Sequence, residues 1–296
     1  MTDTELTGVR AVVTGSTQGL GEAIARDLAA RGAHVVVNGR NEARCREIAE
    51  EIGGLAIPGS VGDETVAQEL IDRCVEHFGG IDAVVNNAGF TRDAMLSKMS
   101  AEDFDEVIAV HLRGCWLLTK AASKAMRKSG GSIVNVASGT ALYGHIGQAN
   151  YAAAKGGVLA LTRAMSMELR RFGIRVNAVV PVVRTAMIDP LLDMVGDQAE
   201  AFEPFFGAPE DVAPIFAYLT SAGASAITGQ VLSFDGNRLS VWSHPEVIRS
   251  VDGDGQWSVA DIASAVSGGD LATLNPDGLG TALQNLFGLS AGSAKG

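Results

Sequence analysis

Short apolar segments alternate with longer amphipathic segments along most of the chain. The short segments are rich in β-branched residues and end at Gly or Asn, as buried parallel strands do, and the longer segments have helical spacing. This alternation predicts an α/β fold, a doubly wound parallel sheet with helices on both faces. The predicted strands and helices, in chain order, are Val9–Val13, Leu20–Ala30, His34–Val37, Glu42–Glu51, Ile81–Val85, Phe104–Met126, Ile133–Val136, Tyr151–Arg171, Ile174–Val180 and Val231–Phe234.

The regular alternation ends at Phe234, and the character of the sequence changes after it. Residues 237–296 are richer in Gly, Ser and Asp and contain one amphipathic stretch, Val259–Val266. A segment of about 60 residues forms an independent core only marginally. We therefore predict a single catalytic domain over residues 1–236 and a C-terminal extension over residues 237–296 that packs on it.

Composition and charge exclude several classes of protein. The 296 residues are 47% hydrophobic and 19% charged, which excludes a disordered chain. A net charge of -11 argues against nucleic acid as a partner, and no apolar run approaches the about 18 residues of a membrane span. The cysteines Cys45, Cys74 and Cys115 lack metal or disulfide spacing, and the polar N-terminus does not resemble a signal peptide. We expect a cytoplasmic protein without a metal site.

A glycine-rich segment, Thr14-Gly-Ser-Thr-Gln-Gly-Leu-Gly21, lies between the first predicted strand and the first helix. In that position, glycines allow a tight turn, a close approach to a pyrophosphate and close packing of helix against strand. The helix N-terminus adds N–H groups and a positive dipole end. The segment predicts a Rossmann-like dinucleotide site. The expected contacts are Gly15, Ser16, Thr17, Gln18, Gly19, Leu20 and Gly21.

The end of the second strand indicates which dinucleotide is bound. Enzymes that use NAD usually place a carboxylate there for the ribose 2′-hydroxyl, whereas this chain has Gly39 followed by Arg40. A guanidinium binds a 2′-phosphate well, so NADP(H) is the preferred cofactor and NAD(H) stays open. The alternative is that Arg40 is a solvated arginine at a helix start.

Further cofactor contacts are expected at two other places in the chain. Asn87, Ala88 and Gly89 follow the strand Ile81–Val85, at the edge of the sheet where ligands bind. Small residues there leave room for a ribose, but the amides could equally join strand ends. Ser60 and Val61 complete this predicted set.

Ser138, Tyr151 and Lys155 form the predicted catalytic set. Tyr151 and Lys155 are four residues apart on one helix and so share a face, and Ser138 follows a buried strand. Tyrosine, with a reference pKa of about 10, is a weak acid–base group at neutral pH. A neighbouring ammonium group and an oxidised nicotinamide both favour the phenolate, so we expect Lys155 and the bound cofactor to lower the pKa of Tyr151.

Together these motifs resemble the short-chain dehydrogenase/reductase family over about residues 6–236. The motifs are TGxxxGxG, NNAG, and Ser138 followed thirteen positions later by YxxxK. A narrower resemblance is to the (3R)-hydroxyacyl-CoA dehydrogenase module of peroxisomal multifunctional enzyme type 2 and its bacterial relatives. The segments that carry it are Val110–Gly114, Tyr143–Lys155 and Pro181–Met187.

The chain departs from the family pattern at three positions. His111 stands where most members have an Asn that sustains a water-linked proton relay, and the narrower group shares the histidine. His111 is therefore a candidate catalytic residue that orders the relay water, or else a satisfied helix-interior histidine. Pro181 is followed by Val182 instead of Gly, with one residue fewer before Thr185, which alters the expected contacts of Pro181 and Thr185 with the cofactor. Gly39 replaces the Asp of the NAD-linked subgroup.

The resemblance implies an NADP(H)-dependent oxidoreductase that interconverts a ketone and a secondary alcohol. It implies a 3-oxoacyl or 3-hydroxyacyl thioester, on CoA or acyl carrier protein, as the small-molecule substrate, and assembly into a homodimer or homotetramer. One alternative is a ketoreductase acting on a polyketide or steroid-like carbonyl. The other is a non-catalytic protein that senses dinucleotides, although a sensor would not need Tyr151 and Lys155.

Overall fold

The computed structural model describes residues 5–184, 206–247, 250–253 and 255–267. The chain divides into two compact units, Met1–Trp242 and Ser243–Gly296. The strands are β1 (Arg10–Val13), β2 (His34–Gly39), β3 (Leu55–Pro58), β4 (Ala83–Asn86), β5 (Gly131–Val136), β6 (Ile174–Pro181), β7 (Val231–Phe234) and β8 (Leu239–Val241). The α-helices are α1 (Gly19–Ala30), α2 (Glu42–Ile52), α3 (Glu64–Phe78), α4 (Ala101–Ile108), α5 (Gly114–Ala125), α6 (Thr140–Tyr143), α7 (Ala149–Leu169), α8 (Pro209–Val212), α9 (Pro214–Thr220) and α10 (Val259–Ser267).

The eight strands form one sheet in the order β3-β2-β1-β4-β5-β6-β7-β8. All neighbouring strands are parallel except β7 and β8, which are antiparallel. The predicted doubly wound α/β sheet is thus confirmed. The strand order reverses between β1 and β4, and a crevice opens at the carboxyl ends of strands at such a reversal.

Hydrophobic residues of the central strands face both sides of the sheet. On β2, Val35 and Val37 join one buried cluster, with α1 and α2, whereas Val36 joins the other, with α3 and α5. Side chains alternate between the faces of a strand, so a strand covered on both sides must be apolar throughout. This explains the continuous valine runs that predicted the sheet.

Several elements of the sheet and its cover were not predicted from the sequence, among them β3, β8, α3 and α9. β3 has only four residues, and β8 only three, of which Leu239 and Val241 are exposed. Helix α3 did carry signals, since Asp63 caps its first turn and Gly79 ends it with φ +81°. The predicted helix Phe104–Met126 is one helical run, α4 to α5, interrupted by a π-helical turn, Ala109–Arg113.

In the second unit, the predicted amphipathic stretch forms α10. Ser258 and Asp261 exchange hydrogen bonds at its start, because the Asp261 N–H donates to Ser258 Oγ and Ser258 donates to the carboxylate.

No helix in the described part of the chain has the length and hydropathy needed to cross a bilayer. The three cysteines are buried and free.

Candidate active site

The glycine-rich turn after β1 has a backbone that other residues would not tolerate. Gly15 and Gly19 adopt φ values of +63° and +55°, in the left-handed region that favours glycine. A Cβ on Gly21 would lie 2.1 Å from the Gly15 carbonyl oxygen. No side chain caps the first turn of α1, so its N–H groups face the crevice without a side-chain partner. This is the geometry that binds a phosphate at a helix N-terminus.

Asn87 joins the glycine-rich turn to the end of β4. Its Nδ2 donates to the carbonyl oxygens of Thr14 and Gly15, at 2.9 and 3.1 Å. The N–H groups of Asn87 and Ala88 donate to Thr14 Oγ1, at 3.0 and 3.1 Å. The amide therefore has the strand-joining role considered for it, while the same residues also line the crevice.

A cleft of about 460 Å³ lies along these strand ends. Nine of the residues predicted to bind the cofactor line it: Gly15, Thr17, Gln18, Arg40, Ser60, Val61, Asn87, Ala88 and Gly89. Its wall also includes residues that the sequence did not single out, among them Phe90, Arg92 and Glu106. Glu106 is the only carboxylate among its described lining residues, and it pairs with Arg92 at 3.3 Å.

The other predicted cofactor residues do not line this cleft. Ser16 is buried, and its hydroxyl donates to the Val13 carbonyl oxygen at 2.8 Å and accepts from the Asn38 N–H at 3.0 Å. Gly19, Leu20 and Gly21 lie behind the turn, at the start of α1. Pro181 ends β6, and Thr185 lies outside the described residues.

Arg40 is exposed at the rim of the cleft. Its guanidinium carbon lies 5.5 Å from the centre of the Phe90 ring, and Arg92 lies 5.1 Å from the same ring. Arg40 forms no ion pair with a described carboxylate, whereas Arg92 is paired. A Cβ on Gly39 would lie 2.6 Å from Thr17 Cγ2, so an acidic residue at position 39 would have to displace the Thr17 side chain.

Ser138, Tyr151 and Lys155 meet beyond the end of β5. Tyr151 and Lys155 are buried in α7, and Ser138 lies close enough to the Tyr151 phenol to lower its pKa. Lys155 Nζ donates to the Val136 carbonyl oxygen at 2.6 Å and lies 5.7 Å from the centre of the Tyr151 ring. The structure thus brings the predicted catalytic set together.

The ionisation of the pair differs from the sequence-based expectation. Burial raises the pKa of Tyr151 to about 12, against the opposing effect of Ser138. Burial also lowers the pKa of Lys155 to about 8. The sequence-based expectation was a lowered Tyr151 pKa; desolvation of the phenolate reverses that direction here, and the effect of an oxidised nicotinamide stays a prediction. Tyr151 is therefore protonated at neutral pH, as an acid must be.

His111 lies in the π-helical turn and is buried against the same pocket. Its Nε2 is 3.0 Å from the Phe90 nitrogen and 2.7 Å from the Phe90 oxygen, and its ring is edge-on to Tyr151 at 5.2 Å. Nδ1 has no hydrogen-bond partner among the described residues. Burial, followed by the charge of Lys155, lowers the pKa of His111 to about 3. The imidazole is therefore neutral.

A small cavity adjoins His111 and Lys155. Its volume is about 10 Å³, close to that needed for one water molecule. Its wall consists of Thr14, Val61, Asn86, Ala88, Val110, His111, Cys115, Val136, Lys155 and Val158. His111 is thus neither remote from the catalytic set nor fully satisfied, and a Cβ on Gly89 would lie only 2.3 Å from its Cε1.

The fold and the site define an oxidoreductase of the dinucleotide-binding α/β class. A family model described as enoyl-(acyl carrier protein) reductase matches residues 15–236. Hydroxyacyl-CoA dehydrogenase ChsB1 of Mycobacterium tuberculosis is 39% identical in an alignment 284 residues long. The alignment covers 89% of this chain and 89% of the other. The 3-oxoacyl-[acyl-carrier-protein] reductase FabG of Thermotoga maritima is 38% identical and covers 78% of this chain and 98% of its own.

Among solved structures, a short chain dehydrogenase from Mycobacterium avium superposes with a TM-score of 0.76 at 34% identity. The match covers 89% of this chain and 95% of the other. The chain belongs to the short-chain dehydrogenase/reductase family, as its motifs indicated. Members of this family use nicotinamide cofactors, and this chain is an oxidoreductase of a small molecule.

Proposed function

We propose that the protein is an NADP(H)-dependent oxidoreductase that interconverts a 3-oxoacyl thioester and the corresponding 3-hydroxyacyl thioester. The observation that carries this proposal is the meeting of Ser138, which follows β5, with the buried Tyr151 and Lys155 of α7, beside the dinucleotide cleft. A pair of hydroxyl donors beside a dinucleotide cleft suits the reduction of a carbonyl group.

The residues of the cleft fit a dinucleotide. A Cβ on Gly15 would lie 2.6 Å from the Ala88 Cα, and a Cβ on Gly21 would lie 2.4 Å from Asn87 Nδ2. Glycine keeps this part of the backbone compact, and the N-terminus of α1 is open to a pyrophosphate. Gly15, Thr17, Gln18, Asn87, Ala88 and Gly89 would hold the cofactor.

When bound, the nicotinamide supplies a hydride to the carbonyl carbon. In our proposal, Ser138 donates a hydrogen bond to the carbonyl oxygen, and Tyr151 gives its phenolic proton to that oxygen as negative charge develops. Burial of Tyr151 keeps the proton on the phenol until then. In the reverse direction, Tyr151 takes the proton back from the alcohol.

Lys155 and His111 act behind the tyrosine. We propose that Lys155 binds the nicotinamide ribose and favours the phenolate left after proton transfer. The unpartnered Nδ1 of His111 and the adjoining cavity support a water site between His111 and Lys155. Such a site gives the relay function that the sequence suggested for His111, with a neutral imidazole in place of the usual Asn.

The preference for NADP(H) rests on Arg40. Its exposed guanidinium lies at the cleft rim without a described carboxylate partner, so it can pair with a 2′-phosphate. The Gly39 position offers no carboxylate for a 2′-hydroxyl, and a Cβ there would meet the Thr17 side chain. Pro181 and Thr185 remain proposed contacts of the nicotinamide end.

The thioester substrate is inferred from the relatives. One of them is named for hydroxyacyl-CoA and the other for 3-oxoacyl groups on acyl carrier protein. A ketoreductase for polyketide or steroid-like carbonyls would use the same Ser138 and Tyr151 chemistry. We retain residues 1–236 as the proposed catalytic domain and 237–296 as an extension.

The direct experiment measures NADPH oxidation with acetoacetyl-CoA, in parallel with NADH and with a panel of other ketones. We expect turnover of acetoacetyl-CoA, with a lower KM for NADPH than for NADH. Crotonyl-CoA is the matched control, because it has a C=C bond in place of the ketone. Reduction of crotonyl-CoA alone would replace the proposal with an enoyl reductase. Tight NADPH binding without turnover of any ketone would favour a sensor.

We also propose that the chain forms a homodimer or homotetramer. The family resemblance implies that the helices within residues 109–128 and 152–171 pair across a two-fold axis, and a large apolar side chain is exposed on each, namely Trp116 on α5 and Met167 on α7. Met167 is 81% exposed, which is costly for an isolated chain. Light scattering at micromolar concentration should give a multiple of the 30.6 kDa chain mass, and a monomeric mass would contradict the proposal.

A further inference from the structure

A chain of hydrogen bonds leads from the protein surface to Ser138. Gln148, which immediately precedes α7, donates from Nε2 to the Asp93 carboxylate at 2.9 Å. Its Oε1 accepts from Thr140 Oγ1 at 3.2 Å. The Thr140 N–H in turn donates to Ser138 Oγ at 3.2 Å. Thr140, Gln148 and Asp93, which make up this chain of hydrogen bonds, do not belong to the predicted catalytic set.

The bond from the Thr140 N–H limits where the Ser138 hydrogen can point. A serine hydroxyl has one hydrogen and two acceptor lone pairs. Because the Thr140 N–H occupies a lone pair, the Ser138 hydrogen is left for another acceptor. The Tyr151 phenol is close enough to Ser138 for Ser138 to lower its pKa, so it is one such acceptor. A carbonyl oxygen placed between Ser138 and Tyr151 would receive the same hydrogen.

Gln148 is itself held from two sides. The Ala94 N–H donates to the Gly147 carbonyl oxygen at 2.9 Å, so the loop that carries Asp93 is joined to the loop that carries Gln148. The amide of Gln148 then connects this junction to Thr140, in the first turn of α6. Helix α6 has only four residues and no side-chain cap, so the contact with Gln148 adds to the few backbone hydrogen bonds that hold Thr140.

We propose that Gln148 is a positioning residue for carbonyl recognition, which acts through Thr140 to orient the Ser138 hydroxyl. Asp93 anchors the amide of Gln148 from the opposite side. This inference deepens the proposed function, on which it rests, because it assigns the origin of the Ser138 geometry. It requires no change in the cofactor cleft.

The test compares Gln148→Leu with a matched control, Gln68→Leu. Gln68 lies on α3 and makes the same kind of contact, Nε2 to Asp72 at 2.9 Å, away from the site. Gln148→Leu should lower kcat on the order of tenfold, with the KM for NADPH unchanged, since misorientation of a catalytic group costs rate. Gln68→Leu should leave both values unchanged. Thr140→Val, which keeps the N–H and the side-chain shape, should reproduce the effect of Gln148→Leu.

A double-mutant cycle separates positioning from general stability. In a Ser138→Ala background, Gln148→Leu should have no further effect on kcat, because the hydroxyl that it orients is gone. An equal loss in both backgrounds would overturn the proposal, as would a kcat within twofold of wild type for Gln148→Leu. Any ketone that the wild type reduces serves for this cycle, so failure with acetoacetyl-CoA alone would count against the proposed substrate instead.

A second measurement does not depend on turnover. Amide hydrogen exchange of residues 138–143, followed by mass spectrometry, should be faster in Gln148→Leu than in wild type and unchanged in Gln68→Leu. Unchanged exchange in Gln148→Leu would mean that Thr140 is held without Gln148, and the proposal would fail.

Discussion

The cofactor cleft and the catalytic pocket lie side by side but are lined by different kinds of groups. The cleft is lined largely by main chain and small residues, such as Gly15 and Gly89, and Arg40 at its rim is exposed. The catalytic pocket consists of buried polar side chains, with Tyr151 8% and Lys155 3% exposed. The cleft thus depends on the absence of side chains, and the pocket depends on desolvation.

This difference determines how charge behaves in the two regions. In the pocket, burial shifts the pKa values of Tyr151, Lys155 and His111 toward their neutral forms. At the rim, the Arg40 guanidinium stays in contact with solvent and can meet a phosphate without a large desolvation cost. Substitutions in the pocket should therefore affect the chemical step, and those at the rim should affect cofactor affinity.

The largest expected effect is that of Tyr151→Phe. The phenyl ring keeps the packing and removes only the proton donor, so kcat should fall on the order of 10²–10⁴-fold. NADPH affinity, measured by fluorescence titration, should remain within about threefold, or under 0.7 kcal/mol. Tyr218→Phe, which removes a surface hydroxyl bonded to Gly223, is the matched control. If Tyr151→Phe keeps a tenth of wild-type turnover, Tyr151 is not the obligatory acid.

A smaller effect is expected at the rim of the cleft. Arg40→Ala should raise the KM for NADPH by one to two decades, since a charge-assisted contact contributes about 1.5–3 kcal/mol. The KM for NADH should hardly change. Arg46→Ala, on the exposed face of α2, is the control because Arg46 pairs with Glu42 instead of lining the cleft. An equal loss for both cofactors would make Arg40 structural and remove the basis for NADP(H) preference.

The smallest effect concerns stability in acid and the buried His111. Its pKa in the folded state, about 3, is below the 6.5 of a free histidine, so the unfolded chain binds a proton that the folded chain does not. Stability should therefore fall as the pH drops from 6.5 toward 3, by at most about 1.4 kcal/mol per pH unit. Urea unfolding at pH 6.5 and 5 should show a shallower decline in His111→Asn than in wild type. The exposed His244 provides the control, His244→Asn, and identical declines in all three proteins would contradict a buried neutral His111.

The two regions also differ in how well the sequence predicted them. Gly15, Gly19 and Gly21, like Tyr151 and Lys155, are close together in the sequence, so their spacing alone indicates their geometry. Phe90 and Arg92 were missed, because only the fold brings them to the rim beside Arg40. Gln148 was missed for the same reason, since its partner Asp93 is 55 residues away.

The strands of the sheet were likewise only partly predicted from the sequence. Continuous apolar runs predicted its centre, because strands covered on both faces are apolar throughout. β8 was missed because its three residues carry no burial pattern, and Leu239 and Val241 are exposed. The sequence predicted a lowered pKa for Tyr151, whereas burial raises it. The spacing of Tyr151 and Lys155 revealed that they are neighbours but not how deeply they are buried.

The most direct test of the proposed reduction of 3-oxoacyl thioesters uses NADPH that carries deuterium at the transferable position. Acetoacetyl-CoA is reduced with it, and the product is analysed by mass spectrometry. We expect 3-hydroxybutyryl-CoA with one deuterium on carbon 3, formed on the order of 10²–10⁴-fold more slowly by the Tyr151→Phe variant at equal enzyme concentration. Absence of the labelled alcohol with the wild-type protein, under conditions in which NADPH is bound, would contradict the assignment of the site as a reductase of 3-oxoacyl thioesters.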